Sequence, residues 1–591
     1  MTISQLSAGI GISEVNLTTI VPSVLTTAGA YVGPFAWGPV NNVIPVSTEP
    51  LLVSTFGKPN NINANSWFTA ASFLSYGNNL NVVRSANSGT YNATSGGTAN
   101  VQIQNAQAFQ YSYLPSGAAN TYGPFVARYP GILGNSITVA VLDGGASASQ
   151  FANWSVPITN VAGYPYANVA LAGFFGTAPG TSYNASQQGS SNDEIHIAVV
   201  DTGGLISGTQ GTVLEVYPFV SKATNTVDKN GVTNYYKSAI FNTSSYIYAV
   251  DQINYASNAG QANSWGQSTA NVAFATLSGP QVFPFSKGTE VYPTDGDLVS
   301  SYGLLADQTA AQVSLLMTGP WDTTVQQNAI NIAATRKDCV AFVSPPMAAV
   351  VNNSGNEQTS VINWFSGLSS ITGGPTGSYG FADSGWKYMF DKYNNTYRWV
   401  PLNGDIAGLC VSTDATNAPW WSPAGFNRGV IKNVTKLAWN PTKPMRDAIY
   451  PYGINPVAAF PGSGTVLFGD KTMQTKPSAF DRINVRRLFI VLEQAISKAS
   501  QYSLFEFNDQ FTQAQFVAMV TPFLTQIQGQ RGITSFEVVC DSTNNTPDVI
   551  NANQFVGDIY IQPARSINYI QLNFVAVGTG VNFTTVVGQA Q

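Results

Sequence analysis

The sequence predicts an α+β multidomain chain: an α/β core, a C-terminal sheet with helices, β-rich inserted material and extended terminal arms. Three patterns carry that prediction. Apolar strands alternate with helical segments over 295–375. Short alternating runs set among Gly, Ser, Thr, Asn and Ala fill 89–294. Helical stripes followed by strand-patterned runs occupy 441–591. At ~150 residues per domain, a chain of 591 residues corresponds to about four domains, with ample length for a buried core.

The N-terminus reads as an arm. Val15, Leu17, Thr19 and Val21 alternate with Glu14, Asn16, Thr18 and Ile20, a strand-like period of two that Pro22 interrupts. No hairpin partner lies close by. A lone strand cannot satisfy its own backbone groups, so this one must pair elsewhere. Over 28–88, Gly33-Pro34 and Gly38-Pro39 mark turns, and Leu51-Leu52-Val53 leads into a turn at Phe56 to Pro59. Trp67 to Tyr76 reads as a helix stopped by Gly77, and Leu80 to Arg84 as a buried strand. In the insertion, Ser136 to Val141 and Ile195 to Val200 are strand-like, with turn clusters between them.

Beyond the insertion, Val313 to Met317 and Val340 to Val343 read as strands flanking a helix over 321–335, an α/β unit with a parallel pair. Residues 376–440, rich in Trp, Tyr, Gly and Pro, read as ordered loops and short strands. Val485, Leu488, Phe489, Leu492, Ile496 and Ala499 form one helical stripe; Phe516, Val520, Phe523 and Ile527 form another. Thr512 with Gln515 predicts a capping box, Gly529 a stop, and Pro522 a kink or split in that helix. Strands are expected at Phe536 to Cys540, Phe555 to Ile561 and Ile567 to Val577. Val581, Phe583, Thr585 and Val587 alternate once more and suggest a second arm. The expected domains are an arm at 1–20, a core of 21–88 with 295–440, outer material at 89–294, a C-terminal domain at 441–577 and an arm at 578–591.

Composition narrows the function. Charged residues make up 9% of the chain, against ~25% for an ordinary soluble domain. Such a surface has little like-charge repulsion to hold copies apart, which suits a chain buried among its neighbours; it equally suits a secreted β-rich protein with a neutral surface. A net charge of −5 argues against non-specific nucleic-acid binding. The cluster Arg482, Arg486 and Arg487 reads as a solvated or interface face. Cys339, Cys410 and Cys540 are odd in number and far apart, so neither a disulfide framework nor a CxxC metal site is implied. The first 20 residues lack a signal-peptide pattern, and no apolar run reaches membrane-spanning length.

Sequence motifs for chemistry are sparse. The one histidine, His196, sits in a strand-like run and reads as structural; no Gly-x-Ser-x-Gly elbow accompanies it. One histidine excludes histidine-rich zinc sites. No phosphate loop and no calcium loop is present, and Asp405, Asp414, Asp447 and Asp481 read as helix caps or turn residues. The chain is therefore expected to be a structural protein without cofactors rather than an enzyme.

A set of ordered segments resembles the tail sheath proteins of contractile-tailed phages. These include Phe35-Ala36-Trp37-Gly38-Pro39, Leu52 to Pro59, Phe73 to Gly77 with Val82-Val83-Arg84, and Tyr129-Pro130-Gly131 with Gly134-Asn135. Arg336 to Phe342, Ile454-Asn455-Pro456-Val457, Phe468-Gly469-Asp470-Lys471, Asn484 to Leu488, Phe505-Glu506-Phe507-Asn508, Asn545-Thr546-Pro547 and Asp558 to Arg565 complete the set. Residues 89–294 match poorly apart from the Tyr-Pro-Gly segment.

The resemblance implies a subunit that assembles with itself, as stacked hexameric rings or a six-start helix, around a tail tube protein. It implies baseplate and tail terminator proteins as further partners, no direct nucleic-acid binding and no membrane span. It places the protein in the virion tail, after assembly in the host cytoplasm. The C-terminal domain is expected against the tube, the insertion outside, and the terminal arms on a neighbour's C-terminal sheet. Contraction is then downhill from a kinetically trapped state. A sheath of a bacterial contractile injection system is the related alternative; a secreted β-rich hydrolase or adhesin is the alternative of another class.

Overall fold

A computed structural model of the chain describes residues 21, 24–113, 122–158, 167–253 and 264–572. The described chain divides into two compact units, 24–419 with 423–498, and Val21 with 420–422 and 499–572. Helices and several separate sheets make it α+β. Among the described residues no helix is long and apolar enough to cross a membrane.

The larger unit is built on a seven-stranded sheet. Its order is Ile454–Asn455, Gly380–Asp383, Val340–Val343, Leu315–Met317, Gly29–Gly33, Leu80–Arg84 and Val43–Val46. All neighbours are parallel except the last pair. The central strands are buried along their whole length, as expected for a parallel sheet covered on both faces. The expected parallel pair is present, joined by the helix Thr323–Arg336. Asp322 starts that helix by accepting from the amides of Thr324 and Val325, and Lys337 ends it in a left-handed conformation, φ 62°.

Residues 376–440 hold more than loops and short strands. The helix Asn403–Thr416 runs through them, with every residue from Asn403 to Val411 buried. A helix buried on all sides shows no polar face, so periodicity does not announce it. Its glycines mark where it nearly touches its neighbour. A Cβ on Gly404 would lie 2.4 Å from the carbonyl of Thr69, and one on Gly408 2.4 Å from the Tyr76 ring. Both contacts bring it against the helix Ala64–Leu74 and its C-terminal turn.

The insertion contains a four-stranded antiparallel sheet ordered Gln281–Pro284, Ile137–Asp143, Glu194–Asp201 and Thr212–Ser221. Ile137, Val139, Val141, Ile195, Ile197 and Val199 fill the core on one face. Ala140, Leu142, Ala198 and Val200 pack with Trp154 and Phe175 on the other. Lys222 is fully buried here. Its ammonium donates to Asp143 and to the Asn192 and Ala275 carbonyls, and it lies 4.8 Å from the Trp265 ring.

The two ends of the insertion meet. The Val291 amide donates to the Thr90 hydroxyl at 3.1 Å, and the Tyr91 amide to the Thr289 hydroxyl at 3.0 Å. Beside them Arg84, buried at the end of its strand, donates to the carbonyls of Gly38 at 2.8 Å and Pro130 at 2.6 Å. One guanidinium thus ties the sheet, the Gly38 turn and the insertion together. It also accounts for the isolated Tyr129-Pro130-Gly131 segment. Gly131 has φ 137°, and a Cβ there would come within 2.9 Å of the Ala36 carbonyl. Burial holds the Arg84 guanidinium down at about 10.

In the smaller unit the helix Gln510–Gly529 begins at Asp509, whose carboxylate accepts from the Thr512 amide at 2.9 Å. The cap is therefore Asp509, not the predicted Thr512–Gln515 box. Pro522 does not split this helix. It lies on the exposed side, where water can take up the carbonyl it leaves unbonded. The strands Ile533–Val539 and Asp558–Pro563 pair antiparallel. No third strand joins them among the described residues, and 567–572, expected to begin one, are not strand.

Arg84→Ala is expected to strand two buried carbonyls and leave a cavity. The loss should be about 2–5 kcal/mol, read as a lower urea midpoint with the slope unchanged.

Candidate interface surfaces

The candidate chemical groups are committed to structure. His196 is buried; its Nδ1 accepts from the Phe219 amide at 3.0 Å, leaving Nε2 to donate to the Thr177 carbonyl at 2.8 Å. Its ring stacks on Phe175 at 4.5 Å, and burial pushes its pKa down. Both nitrogens are occupied by backbone, as in a structural histidine. Cys339, Cys410 and Cys540 are free and buried, and burial raises each thiol. Among the described residues no cluster of three or more His, Cys, Asp or Glu is arranged to hold a metal.

Two of the three clustered arginines, Arg486 and Arg487, are not on a solvated face. Arg487 is buried and grips Asp414 through both guanidinium nitrogens, at 2.9 and 2.6 Å. Arg486 lies 3.9 Å from the centre of the Phe480 ring and 4.2 Å from that of Tyr379, and donates to the Ser378 hydroxyl. Asp414 and Asp405 are likewise ion-pair partners rather than caps. Asp405 meets the buried ammonium of Lys387 and accepts from the Tyr76 hydroxyl.

Asp383 ends a parallel strand and is also buried. Its carboxyl accepts from the Ser344 hydroxyl at 2.7 Å and from the Gly385 amide at 2.9 Å, and Asn403 donates in turn to Ser344. Burial, with Asp405 nearby, pushes Asp383 up to about 8. Ser344, Asp383 and Asn403 are each at most 2% exposed, so the cluster is closed to solvent.

What the surface displays instead is apolar. Between the helices Ile483–Ser500 and Gln510–Gly529 runs a loop with Tyr502, Leu504, Phe507 and Phe511 exposed and Phe505 at 105% of full exposure. Phe505 has φ 71°, a left-handed backbone that a bulky residue adopts only under strain. On the larger unit, Trp386–Asp391 pairs with Thr396–Pro401 and with Lys436–Leu437. The register sets Tyr388 beside Trp399 and Phe390 beside Tyr397. The four rings form a sheet-face quartet, with the Lys436 ammonium 5.0 Å from the Tyr388 ring. Phe505-Glu506-Phe507 stood out in the sequence only as part of a motif. The quartet lay in a stretch read as ordered loops and short strands, and its alternation Tyr388, Phe390 and Tyr397, Trp399 is a legible strand signal.

Of the predicted arm residues, Val15, Leu17, Thr19, Val581, Phe583, Thr585 and Val587 lie outside the described residues. Val21 is described, half-buried and not in a strand.

Two family models match the chain, the phage tail sheath protein central domain over 317–473 and the phage tail sheath C-terminal domain over 475–576. The tail sheath protein of Vibrio phage KVP40 is 33% identical over 99% of this chain and 100% of its own length. The chain belongs to the phage tail sheath protein family. The sheath protein of Enterobacteria phage T4 is 32% identical over 99% of each chain. The crystal structure of a sheath tail protein from Listeria innocua shares the fold, with a TM-score of 0.51, 10% identity, and coverage of 92% of this chain and 93% of that one. This sheath chain is thus a structural subunit of a contractile phage tail.

In this sheath subunit Asp383 links stability to pH. Its folded-state pKa, about 8, stands above the ordinary value of 3.8, so the native state binds the proton more tightly than the unfolded chain. That contribution is complete below the ordinary value and is lost as pH rises toward about 8. The melting temperature should therefore fall over that window, and Asp383→Asn, an isostere of the neutral acid, should flatten the fall.

Proposed function

We propose that copies of this chain polymerise around an inner tail tube, and that contraction of the polymer drives the tube through the host envelope. In this reading 21–88 with 295–440 form the core, 89–294 lie outside and 441–577 face the tube. Baseplate and terminator proteins bound the two ends. The sheath works by assembly rather than by catalysis, takes no cofactor, and assembles in the host cytoplasm.

The observation that carries the assembly mode is the two-stranded sheet Ile533–Val539 with Asp558–Pro563. It has two outer edges, and among the described residues neither is covered by a strand. A two-stranded sheet is marginal alone, and its edges template further strands. The alternating segments 13–21 and 581–587 supply such strands from neighbouring copies. About five backbone hydrogen bonds per added strand, at ~1 kcal/mol each, give ~5 kcal/mol per junction before ordering costs. Junctions of that strength keep copies linked while side-chain contacts between them change partners.

Deleting residues 1–20 should leave a folded protein that forms no long tubes in negative-stain micrographs. Phe583→Asp should act the same way, since a carboxylate buried in an added strand lacks a partner. Ordinary tubes from either variant would falsify the strand-addition reading.

A further inference from the structure

The loop 502–511 is apolar and exposed, the quartet exposes Phe390 and Tyr397 beside the half-buried Tyr388 and Trp399, and the chain segments near the two in sequence differ in the sign of their charge. Residues 424–447 carry Arg428, Lys432, Lys436, Lys443 and Arg446 against one acid, Asp447. Residues 499–572 carry six acids against two arginines, in a chain whose total charge is only −5. Within the loop, Glu506 and Asp509 flank Phe507. On the quartet, Lys436 is exposed and, among the described residues, has rings but no hydrogen-bond or ion-pair partner.

We propose that the loop 502–511 of one copy docks on the face formed by Tyr388, Phe390, Tyr397 and Trp399 of a second copy, with Glu506 meeting Lys436. This contact rests on the polymerising function above and is separate from strand addition. Three features favour it. Phe505 gains nothing from its own fold: a fully exposed ring on a left-handed backbone carries both a hydration cost and strain, and a partner's surface offsets them. Tyr and Trp, which this face presents, are among the residues enriched in interface hot spots. The charges are complementary, and charge complementarity sets the register of an apolar contact.

A second aromatic cluster, Phe426 with Phe460 and Phe468, is a weaker receptor. Its cation Arg446 already donates to the Pro441 carbonyl and lies over the Phe460 and Phe468 rings.

Two experiments on the full chain test the contact. First, Phe505→Cys is combined with Tyr397→Cys under mild oxidation; the three native cysteines are buried and add little background. Disulfide-linked multimers are expected on a non-reducing gel, absent when Tyr183→Cys, also exposed, replaces Tyr397→Cys. An intrachain product alone, or the same ladder from the control pair, overturns the proposal. Second, Glu506→Lys and Lys436→Glu are each expected to raise the concentration needed for tubes about tenfold, and their combination to restore it to about twofold of wild type. Asp509 is left unchanged because it caps the following helix. Single variants that assemble like wild type, or a combination no better than the worse single, overturn it as well. The two readings fail separately. A wild-type chain that makes no tubes counts against polymerisation, while the cross-link still reads the contact in solution.

Discussion

The Arg84 guanidinium is the point on which the larger unit turns. It sits where the strand Leu80–Arg84 leaves the sheet and bonds at once to the Gly38 turn and to Pro130 of the insertion. Buried arginine is costly unless its donors are used, and the two carbonyls return part of that cost with direction as well as energy. Lysine has no planar fork to span both acceptors. The sheet's register, the turn and the seat of the insertion therefore share one geometric requirement.

The same economy runs through the chain. Its charges are few, yet several are buried in pairs: Lys222 with Asp143, Lys387 with Asp405, and Arg487 with Asp414. Ion pairs of this kind add little net stability over an apolar core of equal volume, but breaking one leaves an uncompensated charge. They make misarranged cores expensive. The surface left behind is poor in charge and carries patches of exposed aromatic rings.

Much of the fold was legible in the sequence where the signal is local. The strand Leu80–Arg84, the helix ending near Tyr76, the pair flanking Thr323–Arg336 and the stripe of Ile483–Ser500 follow from periodicity and turn residues. What escaped was decided at a distance. The helix Asn403–Thr416 hides because it is buried on all sides and shaped by glycines that fit Thr69 and Tyr76. Arg486 and Arg487 looked like a surface cluster because their partners, Ser378 and Asp414, lie far away in sequence. Asp509 replaced the predicted cap because an aspartate three residues earlier accepts the Thr512 amide and starts the helix sooner. Of the candidate interface, the motif around Phe505 was visible, but neither its exposure nor the quartet that matches it in charge.

The closed neck of the insertion has a consequence for how such chains diversify. Thr90 and Tyr91 on the way out touch Val291 and Thr289 on the way back, so the excursion starts and finishes at one spot. A detour with coincident endpoints can grow, shrink or be exchanged for unrelated material while the strands on either side hold their places. The insertion is in that sense a cassette. Its neck is the part the fold must keep, and its contents can change without moving the strands on either side.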